Sequence, residues 1–210
     1  MLDWNEQLVE QLDWHWRSQL RPRMDTLTDR EYLWEPAPGA WSVRPRGTTV
    51  FSPHTPAGLD ERSADGCFPS GAGRAAPMVG GSGEFTIDFA FPEPDPPPVT
   101  TIAWRMCHLI VGVFGMRVAG HFGGPAMDYD TYDYPGDAAG ALSQLDQAYA
   151  AWAAGVRGLG ADGLSRPCGP AEGPWADHPM ATLVLHINRE VIHHGAEIAL
   201  LRDLYRHHNP

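Results

Sequence analysis

Apolar residues return every three to four positions in four stretches of this chain, and in each the spacing predicts an amphipathic helix. The first begins near Asp3, where Asp3 and Glu6 form a capping-box pattern, and carries Trp4, Leu8, Leu12, Trp16 and Leu20 on one face. Pro22 should kink or end it, because proline lacks an N–H and its ring clashes with the carbonyl one turn back. Thr28 and Glu31 repeat the capping pattern in a short piece closed by Pro36. The second long helix should run from about Thr101 to Ala119, capped by Thr100 or Thr101 and ended by Gly120. It is apolar nearly all round, which marks it as the most buried. The third should follow the cap Asp137, with Leu142, Leu145, Tyr149, Trp152 and Val156 as its stripe, until Gly158, Gly160 and Gly163 break it. The fourth should span about Pro179 to Tyr205, with Asp177 as cap and Pro179 in the first turn.

Between the first two helices the pattern changes. Residues 37–97 are rich in Gly, Pro and Ser, and a loop this long inside a compact domain is uncommon and often functional. Within it, from Glu84 to Phe91, large apolar residues alternate strictly, as on a strand with one buried face. Pro92 to Pro98 reads as a stiff extended connector. The expectation is one all-α domain over residues 1–210, an antiparallel four-helix bundle with a long irregular insertion at about 46–97 containing short β structure. The face made by Phe85, Ile87, Phe89 and Phe91 must be buried somewhere, so the insertion should cover part of a functional site or a subunit face.

Composition narrows the function. The chain has 210 residues, 43% apolar and 20% charged, enough for one real core. No run approaches the roughly 20 apolar residues that span a bilayer. No secretory signal opens the chain, which predicts a cytoplasmic protein. A formal net charge of −11 without a basic patch argues against nucleic acid and anionic membranes as partners. Every basic residue is Arg and none is Lys, which removes Schiff-base, P-loop and protein-kinase chemistry. Cys67, Cys107 and Cys168 show no C-x-x-C spacing, against both a disulfide framework and a cysteine zinc site. Cys107, in an apolar helix, reads as a small core residue.

The chemistry lies where core faces are interrupted. The fourth helix has a stripe of Leu183, Ile187, Glu190, His194, Ile198, Leu201 and Tyr205, in which Glu190 and His194 are neighbours one turn apart. A buried carboxylate and imidazole need partners. They can satisfy each other as a hydrogen-bonded pair, or both can bind a metal; taken alone, the motif favours the pair. His108 interrupts the second core helix in the same way, and three ligand-type side chains on two core faces point to a metal site. Arg105, on the His108 side, suits a carboxylate held bidentately or a structural ion pair. Gly112 and Gly115, one and two turns beyond His108, leave a cavity or room for close helix contact. Glu197 is placed to orient His194. His186 reads as an amphipathic flank, His193 as exposed or at a subunit contact, His15 as packing, and His207 and His208 as a frayed terminus.

With these residues in place, the sequence resembles the DinB/YfiT-like superfamily, and within it the mycothiol-dependent maleylpyruvate isomerase branch. The resemblance covers the first helix and residues 98–206, with no counterpart for 46–97. His108, in Trp104-Arg105-Met106-Cys107-His108-Leu109, matches the family's ligand on its second helix. Glu190 and His194 match the branch's Glu-x-x-x-His on the fourth, where the wider superfamily often has His-x-x-x-His. Gly195-Ala196-Glu197-Ile198 resembles the segment after the last ligand, and Trp41-Ser42-Val43 the approach to helix two. The resemblance implies a four-helix bundle holding a divalent metal through His108, Glu190 and His194, with zinc the first expectation and nickel or iron the others. It further implies a metal-dependent transferase or isomerase using a low-molecular-weight thiol such as mycothiol, with Arg105 toward that cofactor and no catalytic acid or base assigned. A small-molecule substrate and a homodimer would be its partners. The alternative is a non-enzymatic, metal-bound ligand-binding or stress-response protein.

Overall fold

The computed structural model describes residues 2–48, 76–91 and 94–209. Most of the insertion at 46–97, Cys67 and the start of the Pro92–Pro98 connector lie outside the described residues. The chain is mostly helical. Helix α1 covers residues 4–24: Trp4–His15, a wider π-helical turn Trp16–Leu20, then Arg21–Met24. Asp3 caps it by accepting the Asn5 and Glu6 N–H groups. Pro22 does not end it. The turn ahead of the proline is widened so that Arg21 N–H reaches Trp16 O, and the helix restarts with Pro22 in its first positions. Helix α2 is Asp29–Tyr32, its first turn held by Thr28 Oγ1 accepting from Glu31 N. The Glu31 side chain forms no reciprocal capping bond; it pairs with Arg202 inside the core.

Among the described residues three short strands follow: β1 (Val43–Pro45), β2 (Ala76–Gly80) and β3 (Phe85–Phe91). They form an antiparallel sheet in the order β1-β3-β2, with Val43 opposite Ile87. Those two side chains are buried, and Phe85 packs on the core beside them.

Helix α3 spans residues 102–122, as Ile102–His108, a π-helical stretch Leu109–Gly115, and Met116–Phe122. Thr101 Oγ1 caps it by accepting from Trp104 N. It passes Gly120 and ends at Gly123, whose φ of 71° is the left-handed conformation that glycine adopts freely. By length and composition this 21-residue helix could cross a membrane, contrary to the sequence reading. Arg105, His108, Arg117 and His121 interrupt it, and most of its apolar side chains are buried against other helices. Helix α4 is Ala138–Arg157, capped by Asp137. Helix α5 (Gly160–Ser165) and a 3-10 segment, Pro170–Trp175, lead to helix α6, Met180–His208. Pro179 is the N-cap of α6 and no side chain caps it, so Asp177 does not play the expected part. The helix stays wound to His208, whose ring lies beside Trp34.

The four long helices do not all run antiparallel to their neighbours. Asn5 meets Arg157 and Arg21 meets Asp146, so α1 and α4 are antiparallel. Leu8 meets Asn188 and Arg23 meets Asp203, so α1 and α6 are parallel. Phe114 meets Tyr149 and Phe122 meets Trp152, so α3 and α4 are also parallel. His108 meets His194 and Arg105 meets Glu197, which sets α3 antiparallel to α6. Parallel neighbours cannot be joined by a tight turn. The segment 124–137 therefore travels back along α3, with Met127 beside Gly115 and Tyr129 beside Gly112, before α4 starts. Gly112 and Gly115 leave neither a cavity nor a helix–helix seam; they make room for this return segment. The core between the helices centres on Trp16, stacked on Tyr149 at 4.0 Å with Phe114 edge-on.

Candidate metal centre

The antiparallel contact of α3 with α6 brings His108, Glu190 and His194 together, each offering a donor atom within 4.8 Å of the others. His194 is buried on the core stripe of α6, while His108 and Glu190 are half-buried at its edge. The two imidazoles meet edge to face, 4.8 Å between centroids and 88° between planes.

Each histidine has one ring nitrogen already engaged. His194 Nδ1 lies 2.7 Å from Glu197 Oε2, and His108 Nδ1 lies 2.7 Å from the Tyr129 hydroxyl. A carboxylate accepts and does not donate, so Glu197 places the His194 proton on Nδ1 and leaves the Nε2 lone pair free. Nε2 is likewise the free nitrogen of His108. His194 Nε2 is 3.5 Å from Glu190 Oε2. That is too long for a good hydrogen bond. It matches the separation of about 3.4 Å between two donors that each sit about 2.0–2.1 Å from a tetrahedral zinc. The donor set therefore fits a divalent metal better than a self-satisfied Glu–His pair.

Electrostatics agree with this. Burial, reinforced by the nearby His194 and Arg105, lowers the His108 pKa to about 3, so its ring is neutral and its lone pair available at physiological pH. Burial works against the Glu197 carboxylate, but the His194 hydrogen bond and the Arg105 charge together hold it below the usual range. Burial pulls Arg105 down against the opposing pull of Glu197.

The remaining sequence candidates fall into place around this centre. Arg105 stands at the site, its Nε 3.1 Å from Glu197 Oε2, its Nη1 3.4 Å from His194 Nδ1 and its guanidinium over the Trp104 ring. Glu197 orients His194 as its spacing suggested. His186 and His193 lie on the rim, against Glu190 and Glu197 respectively. His15 packs toward Gly195 and its ring is not among the gathered donors. His193 and Glu197 form a second three-residue group with His194, but the Glu197 contact to His194 Nδ1 is already a short hydrogen bond. Cys107 is buried, its thiol pushed up to about 12 by desolvation, and takes no part.

Two residues of the site escaped sequence reasoning. Trp104 stacks on His108, with centroids 5.3 Å apart and planes 13° off parallel. Tyr129 comes from the irregular return segment, where no periodicity marks it. The one signal in the sequence was Gly112, a small residue that marks a close approach, and the Tyr129 hydroxyl fills the space where its Cβ would be.

A family model described as the DinB superfamily matches residues 11–198, which include all three gathered ligand-type residues. No curated protein and no solved structure matches the chain.

Proposed function

Because the chain belongs to the DinB superfamily, we propose that it is a single-domain, DinB-like four-helix bundle that binds one divalent metal through His108, Glu190 and His194. The observation that carries this reading is the pairing of free Nε2 atoms with outer hydrogen bonds at Nδ1 on both histidines, facing one carboxylate. Zinc suits two imidazoles and a carboxylate best, with nickel or iron compatible. Three protein ligands leave a coordination position open, as catalytic sites do. A metal so held lowers the pKa of a bound thiol or water and polarises a carbonyl.

We read the activity as thiol-dependent transfer or isomerisation on a small electrophilic or cis-unsaturated acid, with a mycothiol-type cofactor. In this reading Arg105, one-fifth exposed, turns part of its guanidinium from Glu197 toward a carboxylate of the cofactor or substrate. Glu197 keeps the His194 proton at Nδ1, and Trp104 shields the His108 side from water. The test is turnover by the metal-loaded protein across a panel of low-molecular-weight thiols and such acids. Metal- and thiol-dependent conversion of the acid supports the proposal, with the thiol consumed in transfer and regenerated in isomerisation, and no conversion across the panel sinks the enzymatic part.

A second reading, a metal-bound ligand-binding protein without turnover, draws on the engagement of Glu197 and Tyr129. Each already serves a histidine as a short hydrogen-bond partner, which leaves neither free as an acid or base. Saturable ligand binding in thermal-shift titrations without conversion would favour it.

A further inference from the structure

The turn joining β2 to β3 sits on the return segment. Gly81 N donates to Asp130 O at 3.1 Å, Ser82 N to Tyr132 O at 3.1 Å, and Ser82 Oγ to Thr131 O at 2.6 Å. The approach is close enough that a Cβ on Gly80 would stand 2.4 Å from the Tyr129 carbonyl oxygen. Tyr134 Oη donates to that same carbonyl at 2.9 Å. The insertion thus grips the return segment at and just after Tyr129, whose hydroxyl meets His108 Nδ1.

The ring face of His108 is held from the same sheet. Trp104 Nε1 donates to Asp88 O of β3 at 2.8 Å, and the Trp104 ring stacks on His108. Asp88 is itself fixed, its carboxylate accepting from Arg44 Nε at 2.8 Å and Ser42 N at 3.0 Å. The imidazole of His108 therefore lies between two side chains that are both anchored to one small sheet.

We propose that this sheet is a positioning element for the metal centre, with Tyr129 and Trp104 as the positioning residues that set the orientation and tautomer of His108. The proposal rests on the metal reading above. An imidazole that ligates through Nε2 carries its proton on Nδ1, and that proton needs an acceptor when it is shielded from water. With a metal on Nε2, the Tyr129 oxygen, 2.7 Å away, is that acceptor, its own hydrogen turned away from the ring. Without it the Nδ1 proton of the ligating ring loses its partner, which weakens the hold of Nε2 on the metal. Trp104 restricts rotation of the ring. The arrangement explains why a segment with so little regular pattern is folded into a sheet beside α3.

The experiment uses the full chain with two substitutions that replace no ligand. Tyr129→Phe removes one hydroxyl, and Gly80→Ala adds a methyl that displaces the return segment from within the insertion. Zinc affinity is measured by competition with a chelating dye, and the His108 tautomer by nitrogen-15 shifts of the zinc-free protein; circular dichroism and thermal midpoint confirm folding. Loss of an outer hydrogen-bond partner typically weakens metal binding about 10–100-fold, and we expect that range for Tyr129→Phe. Gly80→Ala should weaken it in the same direction while remaining folded. Affinities within about threefold of wild type in both folded variants, too small for an outer-partner effect, would overturn the proposal. If the wild type takes up no zinc, the metal reading fails and the tautomer decides alone. A His108 proton on Nδ1 that becomes mixed in Tyr129→Phe then sustains the positioning role, and an unchanged tautomer refutes it.

Discussion

Glu190 and Glu197 both approach His194, and the geometry assigns them different work that substitution separates. Glu197 Oε2 makes a 2.7 Å hydrogen bond to Nδ1, whereas Glu190 Oε2 stands 3.5 Å from Nε2, a spacing a metal bridges and a hydrogen bond does not. Glu197→Gln keeps the shape and exchanges a charged acceptor for a neutral one, so metal affinity should fall about 10–100-fold, or roughly 1.4–2.7 kcal/mol. Glu190→Gln removes one of three ligands and the only anionic one, and should cost well over about 100-fold. Glu190→His should restore binding, since an imidazole at the first position of a one-turn pair presents a donor to the same point. If the two residues merely satisfied each other, Glu190→Gln would cost about 1 kcal/mol of stability and nothing specific to metal. Chelator-competition titrations on the four proteins decide the matter. Near-wild-type affinity in Glu190→Gln together with a large loss in Glu197→Gln would move the centre to His193, His194 and Glu197 and refute this reasoning.

Two other outcomes follow from the packing. Arg202 is 1% and Glu31 3% exposed, joined by contacts of 2.6 and 2.9 Å. Glu31→Gln leaves a buried guanidinium without its counter-charge and should cost about 3–5 kcal/mol, lowering Tm by roughly 6–20 °C in a chain of this size; a calorimetric shift under about 2 °C would contradict it. Cys107, fully buried with its thiol held protonated, should resist a disulfide reagent in the native protein and react only on unfolding. Rapid native labelling mapped to Cys107 by mass spectrometry would show that α3 opens far more readily than its packing implies.

Sequence patterns reached the features that local physics decides. Asp3, Thr101 and Asp137 cap their helices because an acceptor side chain before an apolar-periodic run has a free N–H to satisfy. The strand Phe85–Phe91 was legible from its alternation, and His108, Glu190 and His194 from polar interruptions of apolar faces. What escaped depends on contacts far apart in sequence. β1 and β2 are three and five residues long and carry Pro45 and Pro77, so neither has strand character until β3 pairs with it. The parallel arrangement of α3 and α4 is invisible in periodicity, which reports which face is buried and not which way a neighbour runs. Tyr129 follows from that arrangement, since the return segment exists only because parallel helices need a long connection. Pro22 disturbs the first helix without ending it, because the π-helical turn before it relieves the clash that an ordinary α-helical turn would suffer.

The most direct test is elemental analysis of protein purified without a polyhistidine tag, for the wild type and His108→Ala. His108 is 82 residues from Glu190 in sequence and belongs to the centre only through the packing of α3 on α6. The account predicts close to one divalent metal per chain in the wild type and close to none in a folded His108→Ala protein. A wild type that stays metal-free after growth and purification with zinc present, or a His108→Ala protein carrying the wild-type complement, would contradict it.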